Sequence, residues 1–569
     1  MLFVHFWPQG IKPAVFVLAL LFLQGCISVP PLDPKVSDTG QNQSQTALNA
    51  DVIEYIIDLE ILPKSQSISG SGTTLFKIIK ATEQVELNLD SRYDIERIEV
   101  DGSATRFSAE QGVLTISLGR TFDPQQVVRV EVFYSGKPHV AVRAPWDGGF
   151  VWSKTPSGED FIATAVQGEG CDMFWPCKDH FNDKADTTVI NLTVPNPLIA
   201  VTNGVLQNSV PLSADRTRYE WRLGVPASAY NIALNIAPYE RIQTSYTSIN
   251  GNEVAIEFWA LPENAEKAKS MIETDLRGQI AYFETRMGPY PWGQEKLGFV
   301  ETPHLGMEHQ TINAYGKGYV RDEHGFDWLL HHELAHEWFG NLMTHKTLND
   351  AWLHEGFGLY MQPDYSLYKY GNAAYNYRMY KSYLGLLNCY PVVREGEVSS
   401  DEAFNADIYG KGGWVLHTLR WLIGDDAFWA ATRELVYGTV DTQALQYPIE
   451  PRYRTTQDFI DIINRVSGRD FKWLFDVYLK QAGLPELVQQ RSEDKLVLAW
   501  QTPENLPFPM PVPVLLDGQM VLVEMTDGSG EIALEKDSLF IVDPEMKILR
   551  YLPMIGSCEE NQAKRDKRK

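Results

Sequence analysis

Residues 331–340 read HHELAHEWFG. His332 and His336 stand four apart, so a helix would project both imidazoles from one face toward a single metal ion. Glu333 is turned about 100° round the axis. It cannot comfortably share that ion, but it can reach a water held there. This is the HExxH spacing, which suits metal-assisted hydrolysis with the glutamate as general base. The surroundings are apolar: Leu330, Leu334 and Trp338 step by four on another stripe, and Leu329 and Phe339 flank the histidines. A helix apolar nearly all round is a buried one, and buried polar groups need partners. A solvated helix face with a chance match would not be built this way.

A catalytic zinc takes three protein ligands and keeps one position open. The metzincin continuation would need Gly at 339 and His at 342; the chain has Phe339 and Leu342, which excludes that class. Glu337 lies near the Glu333 face rather than between the histidines. Glu355, in AWLHEGFGLYMQ, follows His336 by nineteen residues. Two helices on a short connection would carry it to the ion, although an acid at a helix start also complements the helix dipole without any ligand.

Taken with the interval to Glu355 and the segment WLHEGF, the HELAH run resembles the M1 family of zinc aminopeptidases. Three further segments extend the likeness. Leu305-Gly306-Met307-Glu308-His309 resembles the GxMEN exopeptidase motif, Tyr409-Gly410-Lys411-Gly412 the YxKG segment, and Gln167-Gly168-Glu169 the QxE segment. The resemblance runs over about residues 50–485 in the family's order. It implies one zinc ion per chain on His332, His336 and Glu355, and Glu333 as base. It also implies Tyr409 as donor to the developing oxyanion, and Glu308, Glu169 and Gln167 around the substrate's α-ammonium. The chain departs from the pattern at Leu305, at His309 where the motif has Asn, and at His354 before Glu355. Where many relatives carry a long helical C-terminal domain, about seventy residues of β structure are expected here. No GxSxG elbow and no GxxxxGK[ST] loop occurs, and GKGGW (410–414) lacks the last glycine of a dinucleotide loop.

The elements that must position these residues follow from pattern. From residue 51 come short alternating runs: VIEYIIDLEIL, QVELNLD, VLTISLG, VVRVEVFY, TTVINLTVP and YNIALNIAP. Turn residues separate them, which predicts an all-β region. After EVAIEFWAL, a helical pattern spans Glu263 to Met287 and GPYPW breaks it. Helical patterns then dominate to about 485, including IYGKGGWVLHTLRWLIG and TTQDFIDIINRV with threonine at its cap. KLVLAW, PVPVLLDG, MVLVEMTDGSG and SLFIVD return to strands.

At 569 residues the chain is too long for one core. Its net charge of −24 excludes wholesale nucleic-acid binding; the terminal KRDKRK is read as a solvated end. The first residues carry an apolar stretch from Ala14 to Leu23, too short for a comfortable membrane span, closed by Leu23-Gln24-Gly25-Cys26. This resembles a bacterial lipobox. It implies a lipid on Cys26 and, with Ile27 following, the outer membrane; an ordinary signal peptide or uncleaved anchor is the alternative. Five cysteines show no disulfide framework. Cys171 and Cys177 either pair or stay as buried thiols.

The expected fold class is multidomain α+β: an N-terminal all-β domain, a thermolysin-like, mainly helical catalytic domain, and a small C-terminal β domain. The expected division is signal peptide 1–25, linker 26–49, β domain 50–245, catalytic domain 246–485, C-terminal β domain 486–556 and basic tail 557–569. The expected function is a lipid-anchored, periplasmic or surface-exposed aminopeptidase acting on peptides with a free N-terminus. The rivals are a zinc endopeptidase or epoxide hydrolase of the same architecture, and a scaffold with a vestigial metal site.

Overall fold

The computed structural model describes residues 39–40, 43–323 and 325–566. The apolar stretch 14–23 and Cys26 lie outside the described residues. Ala50–Leu62 buries Tyr55, Ile57, Leu59 and Ile61 on one face. A bulge between Val52 and Glu54 resets the phase so that Val52 is buried too. This strand pairs parallel with Thr187–Pro195 and antiparallel with Ser67–Ile78, at the centre of an eight-stranded sheet. A four-stranded sheet containing Gly149–Lys154 and Asp160–Ala165 and a three-stranded sheet around Val113–Phe122 complete the N-terminal all-β domain. YNIALNIAP departs from expectation: Ala229–Asn231 is a 3-10 turn and only Asn235–Ala237 pairs as a strand. Its apolar alternation marks burial, and burial here is reached through a turn.

The hairpin of Glu240–Thr247 and Glu253–Ala260 straddles residue 245 and continues into Leu297–Glu301, Asn313–Tyr315 and the edge strand Gly306–Met307. The helices come next. The predicted stretch from Glu263 to Met287 is α1 (Ala265–Met271) and α2 (Arg277–Arg286), joined by a π-helical turn. Then follow α3 (Trp328–His336), α4 (Trp352–Tyr370), α5 (Asn372–Tyr383), the short α6 (Ser400–Ala403), α7 (Ala406–Ile423) and α8 (Asp425–Tyr437). In α9 (Thr456–Ser467), Thr455 and Asp458 form the expected capping box. α10 (Lys472–Tyr478) precedes two three-stranded sheets over residues 486–542, and α11 (Cys558–Asp566) closes the described chain. Among the described residues no helix is long and apolar enough to cross a membrane.

One expectation about the periphery is corrected. The chain does carry disulfides, Cys171–Cys177 and Cys389–Cys558. The second spans 169 residues of sequence, a proximity that only folding creates. Ahead of the terminal KRDKRK, whose side chains lie outside the described residues, α11 is bonded to Cys389 and Asn561 is buried. The end of the expected linker also docks, with Thr39 buried and its hydroxyl donating to Asp179 at 3.0 Å.

Candidate metal centre and amine pocket

α3 starts where Asp327 caps it, accepting from the amides of Leu329 and Leu330. Tyr315 donates to the same carboxylate at 2.6 Å, tying the helix to the catalytic sheet. The helix ends at His336, and Gly340 lies beyond it at φ +151°. Glu337 follows at the helix end. It is buried and accepts from Asn313, Asn341, the Thr311 amide and Tyr290, so it stitches the helix end to the sheet.

α4 packs on α3 and presents Glu355 from its first turn. Glu355 Oε2 lies 3.5 Å from Nε2 of both His332 and His336. The two Nε2 atoms are 3.2 Å apart. His336 Nδ1 meets the Phe339 carbonyl at 2.8 Å, which puts its proton on Nδ1 and turns the Nε2 lone pair inward. All three ligand atoms lie within 4.8 Å of one another and Glu355 Oε2 is buried. Two inward imidazole nitrogens and a carboxylate oxygen suit a zinc ion. The charge balance agrees. Burial would lower His336, yet the surrounding Glu355, Glu308 and Glu333 outweigh it and push the imidazole up to about 10. Burial would raise Glu355, but the two histidines hold it down at about 2. The cluster calls for a cation.

Glu333 is 4% exposed, and burial lifts its pKa well above the ordinary carboxylate range. Carboxylate oxygens of Glu333 and Glu308 and a ring nitrogen of His336 also fall within 4.8 Å of one another. Tyr409 enters from the first turn of α7. Its ring centre is 6.4 Å from that of His332. Burial, then Glu355 and Glu308, keep the phenol protonated. What lets α7 come so close is glycine. A Cβ on Gly412 would meet Gly356 Cα at 3.1 Å, and one on Gly356 would meet Gly412 Cα at 3.2 Å.

Glu308 follows the edge strand Gly306–Met307, whose register opposes Met307 to Ala314. The Leu305 and His309 departures thus leave a paired strand. The Glu308 carboxylate accepts from Gln167 Nε2 at 2.5 Å and from Tyr230 at 3.1 Å. Asn231 and Asn341 donate to its main-chain oxygen at 3.1 and 3.0 Å. Gln167 thus stands against Glu308. Glu169 is buried nearby in sequence, and its Oε2 accepts from the Gly148 amide at 2.8 Å. Tyr230, Asn231 and Asn341 hold Glu308 without having been anticipated. The first two sit in the turn read as a strand, and none of the three stands in a motif, so no local signal marked them. His354 has a local role: its Nε2 accepts from the His345 amide at 2.9 Å, just before Glu355.

A metal-ligand triad on two packed helices, beside a β domain that reaches into the same cleft, defines the two-helix HExxH class. The chain belongs to peptidase family M1. The model of the peptidase M1 N-terminal domain matches residues 52–231 and that of the peptidase family M1 domain matches residues 290–478. Among curated relatives, leucine aminopeptidase 2 of Coccidioides immitis (strain RS) is 24% identical over 398 residues, covering 65% of this chain and 62% of that protein. Leukotriene A-4 hydrolase of Xenopus laevis is 26% identical over 284 residues, 46% of this chain and 44% of that one. The chain thus spans less than two thirds of the length of either. The crystal structure of an M1 zinc metallopeptidase from Deinococcus radiodurans superposes with a TM-score of 0.63 at 22% identity, covering 79% of this chain and 98% of that one. A mutant of that enzyme, bound to a Tyr-Ser-Ala substrate, has the same TM-score at 21% identity. These two likenesses concern the fold.

Proposed function

We propose that the protein is a zinc-dependent aminopeptidase that removes N-terminal residues from peptides. The observation that carries this reading is Glu308: a buried carboxylate, held by Gln167 and Tyr230, whose oxygen lies within 4.8 Å of both Glu333 and His336. A carboxylate so close to the base suits a substrate ammonium one residue from the scissile carbonyl. His332, His336 and Glu355 would hold the zinc, which when bound lowers the pKa of water and polarises a carbonyl oxygen. Glu333 takes the proton of the attacking water and later delivers it to the leaving amine. Tyr409, kept protonated, donates a hydrogen bond to the oxyanion as it develops. Gln167 and Tyr230 fix the Glu308 carboxylate, and Glu169 is the second carboxylate that the QxE resemblance assigns to the ammonium. The peptide-bound relative supports a peptide substrate. For location, we propose a lipid on Cys26 and attachment to the outer membrane.

The test compares a free-amine peptide with its N-acetylated form, with and without chelator. Cleavage of the free form alone, abolished by chelation and restored by zinc, is expected. Equal cleavage of both forms would refute amine recognition and favour an endopeptidase. Cleavage untouched by chelation would refute the zinc reading.

A further inference from the structure

Tyr409 can act only if α7 holds it at the cleft, and the structure shows what grips that helix. Asp407, two residues before Tyr409, is 1% exposed. Its carboxylate accepts from three consecutive amides of one loop: Asn388 at 2.9 Å, Cys389 at 2.8 Å and Tyr390 at 3.3 Å. Asn388 takes φ +54°, and this left-handed residue curls the loop so that its amides converge on one anion. The same loop touches the helix again: a Cβ on Gly410 would lie 3.0 Å from Leu386 Cδ2. Behind the loop stands α11. Cys558 is bonded to Cys389, and Asn561 donates to the carbonyls of Leu386 and Leu387 at 3.2 and 3.4 Å. Further along α7, the Leu549 amide donates to Thr418 at 3.0 Å and His417 Nε2 meets the Met546 carbonyl at 2.9 Å. Lys411 donates to the carbonyls of Gln481 and Ala482.

We infer that Asp407 is a positioning residue for Tyr409, and that the C-terminal segment, through Cys389–Cys558 and Asn561, braces the loop that Asp407 grips. The inference rests on the oxyanion role given to Tyr409 above. The C-terminal region then clamps the tyrosine-bearing helix from outside the catalytic domain. Asp407 itself touches no substrate, since these carboxylate hydrogen bonds run to residues 388–390.

The test is a double-mutant cycle in the full chain. Asp407→Asn and Cys558→Ser are each made alone and on Tyr409→Phe. The readouts are kcat, KM, zinc content and amide hydrogen exchange over residues 386–411. Cys558→Ser leaves the Asp407 contacts in place and so keeps the test informative if Asp407→Asn folds poorly. Since a misplacement of about 1 Å can cost ~100-fold in rate, Asp407→Asn is expected to lower kcat about tenfold, and Cys558→Ser less. KM and zinc content should stay unchanged, and exchange over 386–411 should quicken. On Tyr409→Phe neither change should lower kcat further, because the group they position is gone. Losses that multiply with Tyr409→Phe, or faster exchange with unaltered kcat, would overturn the inference while leaving the aminopeptidase reading intact. A Tyr409→Phe variant with wild-type kcat would overturn the role of Tyr409 and this inference with it.

Discussion

Glu308→Gln separates amine recognition from every other property of the site. The amide keeps an oxygen to accept from Gln167 and Tyr230, which now hold the carboxylate at 2.5 and 3.1 Å. The main-chain bonds from Asn231 and Asn341 do not involve the side chain. What is removed is one negative charge in a buried pocket. Opposite unit charges about 3 Å apart attract by ~5.5 kcal/mol at an effective dielectric constant of about 20. Truncating one partner of a buried charge pair costs about 2–5 kcal/mol in practice. The one amide oxygen stays occupied by Gln167 and Tyr230, so a donor NH2 rather than an acceptor faces the ammonium, and a loss near the middle of that range is expected. A loss of ~3 kcal/mol corresponds to about 150-fold in kcat/KM. Because the ammonium is bound before and during reaction, the loss should fall mainly on KM. The assay is kcat/KM on a fluorogenic aminoacyl substrate and on an internally quenched peptide with an acetylated N-terminus. The free-amine rate should fall by roughly two orders of magnitude while the acetylated peptide is cleaved no more slowly than before. An unchanged free-amine rate, or an equal loss on both, would refute the assignment of Glu308 as the ammonium's partner.

Four further outcomes are expected. Glu333→Gln should retain zinc yet lose about 100- to 10,000-fold in kcat, the range of a positioned general base; wild-type turnover would remove Glu333 from that role. Glu355→Gln, which replaces the carboxylate oxygen 3.5 Å from both imidazoles by a neutral one, should emerge from dialysis with less zinc than wild type, read by elemental analysis; equal zinc content would disprove ligation. His417 is buried, and burial lowers its pKa to about 3. The unfolded imidazole, near 6.5, therefore binds protons that the folded one does not, and stability falls as pH drops below about 6.5, by ~2 kcal/mol at pH ~5. His417→Gln should flatten that part of the denaturation profile by the same amount; an unchanged slope would show that His417 charges freely in the fold. Cys26→Ser should move the protein from membrane to soluble fractions; persistence in the membrane would contradict lipid anchoring.

The sequence by itself carried the chemistry wherever chemistry is local. HELAH lies on one helix, so its spacing alone sets both imidazoles on a common face, and Glu355 could be anticipated because it opens the very next helix, with only residues 337–351 between. The alternation of Ala50–Leu62 and the Thr455 cap were legible for the same reason: neighbours along the chain decide them. The C-terminal strands were likewise marked by their turns. What the sequence could not show is set by partners far away along the chain. Tyr230 and Asn231 looked like strand residues until their turn met Glu308, 78 and 77 positions later. Cys389 and Cys558 had no visible reason to meet across 169 residues. The close crossing of Gly356 and Gly412, which admits Tyr409 to the cleft, is likewise a fact of packing. Local geometry follows from backbone periodicity and needs few residues to read. Proximity between distant segments depends on how whole elements bury their apolar faces together, and no short stretch of sequence contains that.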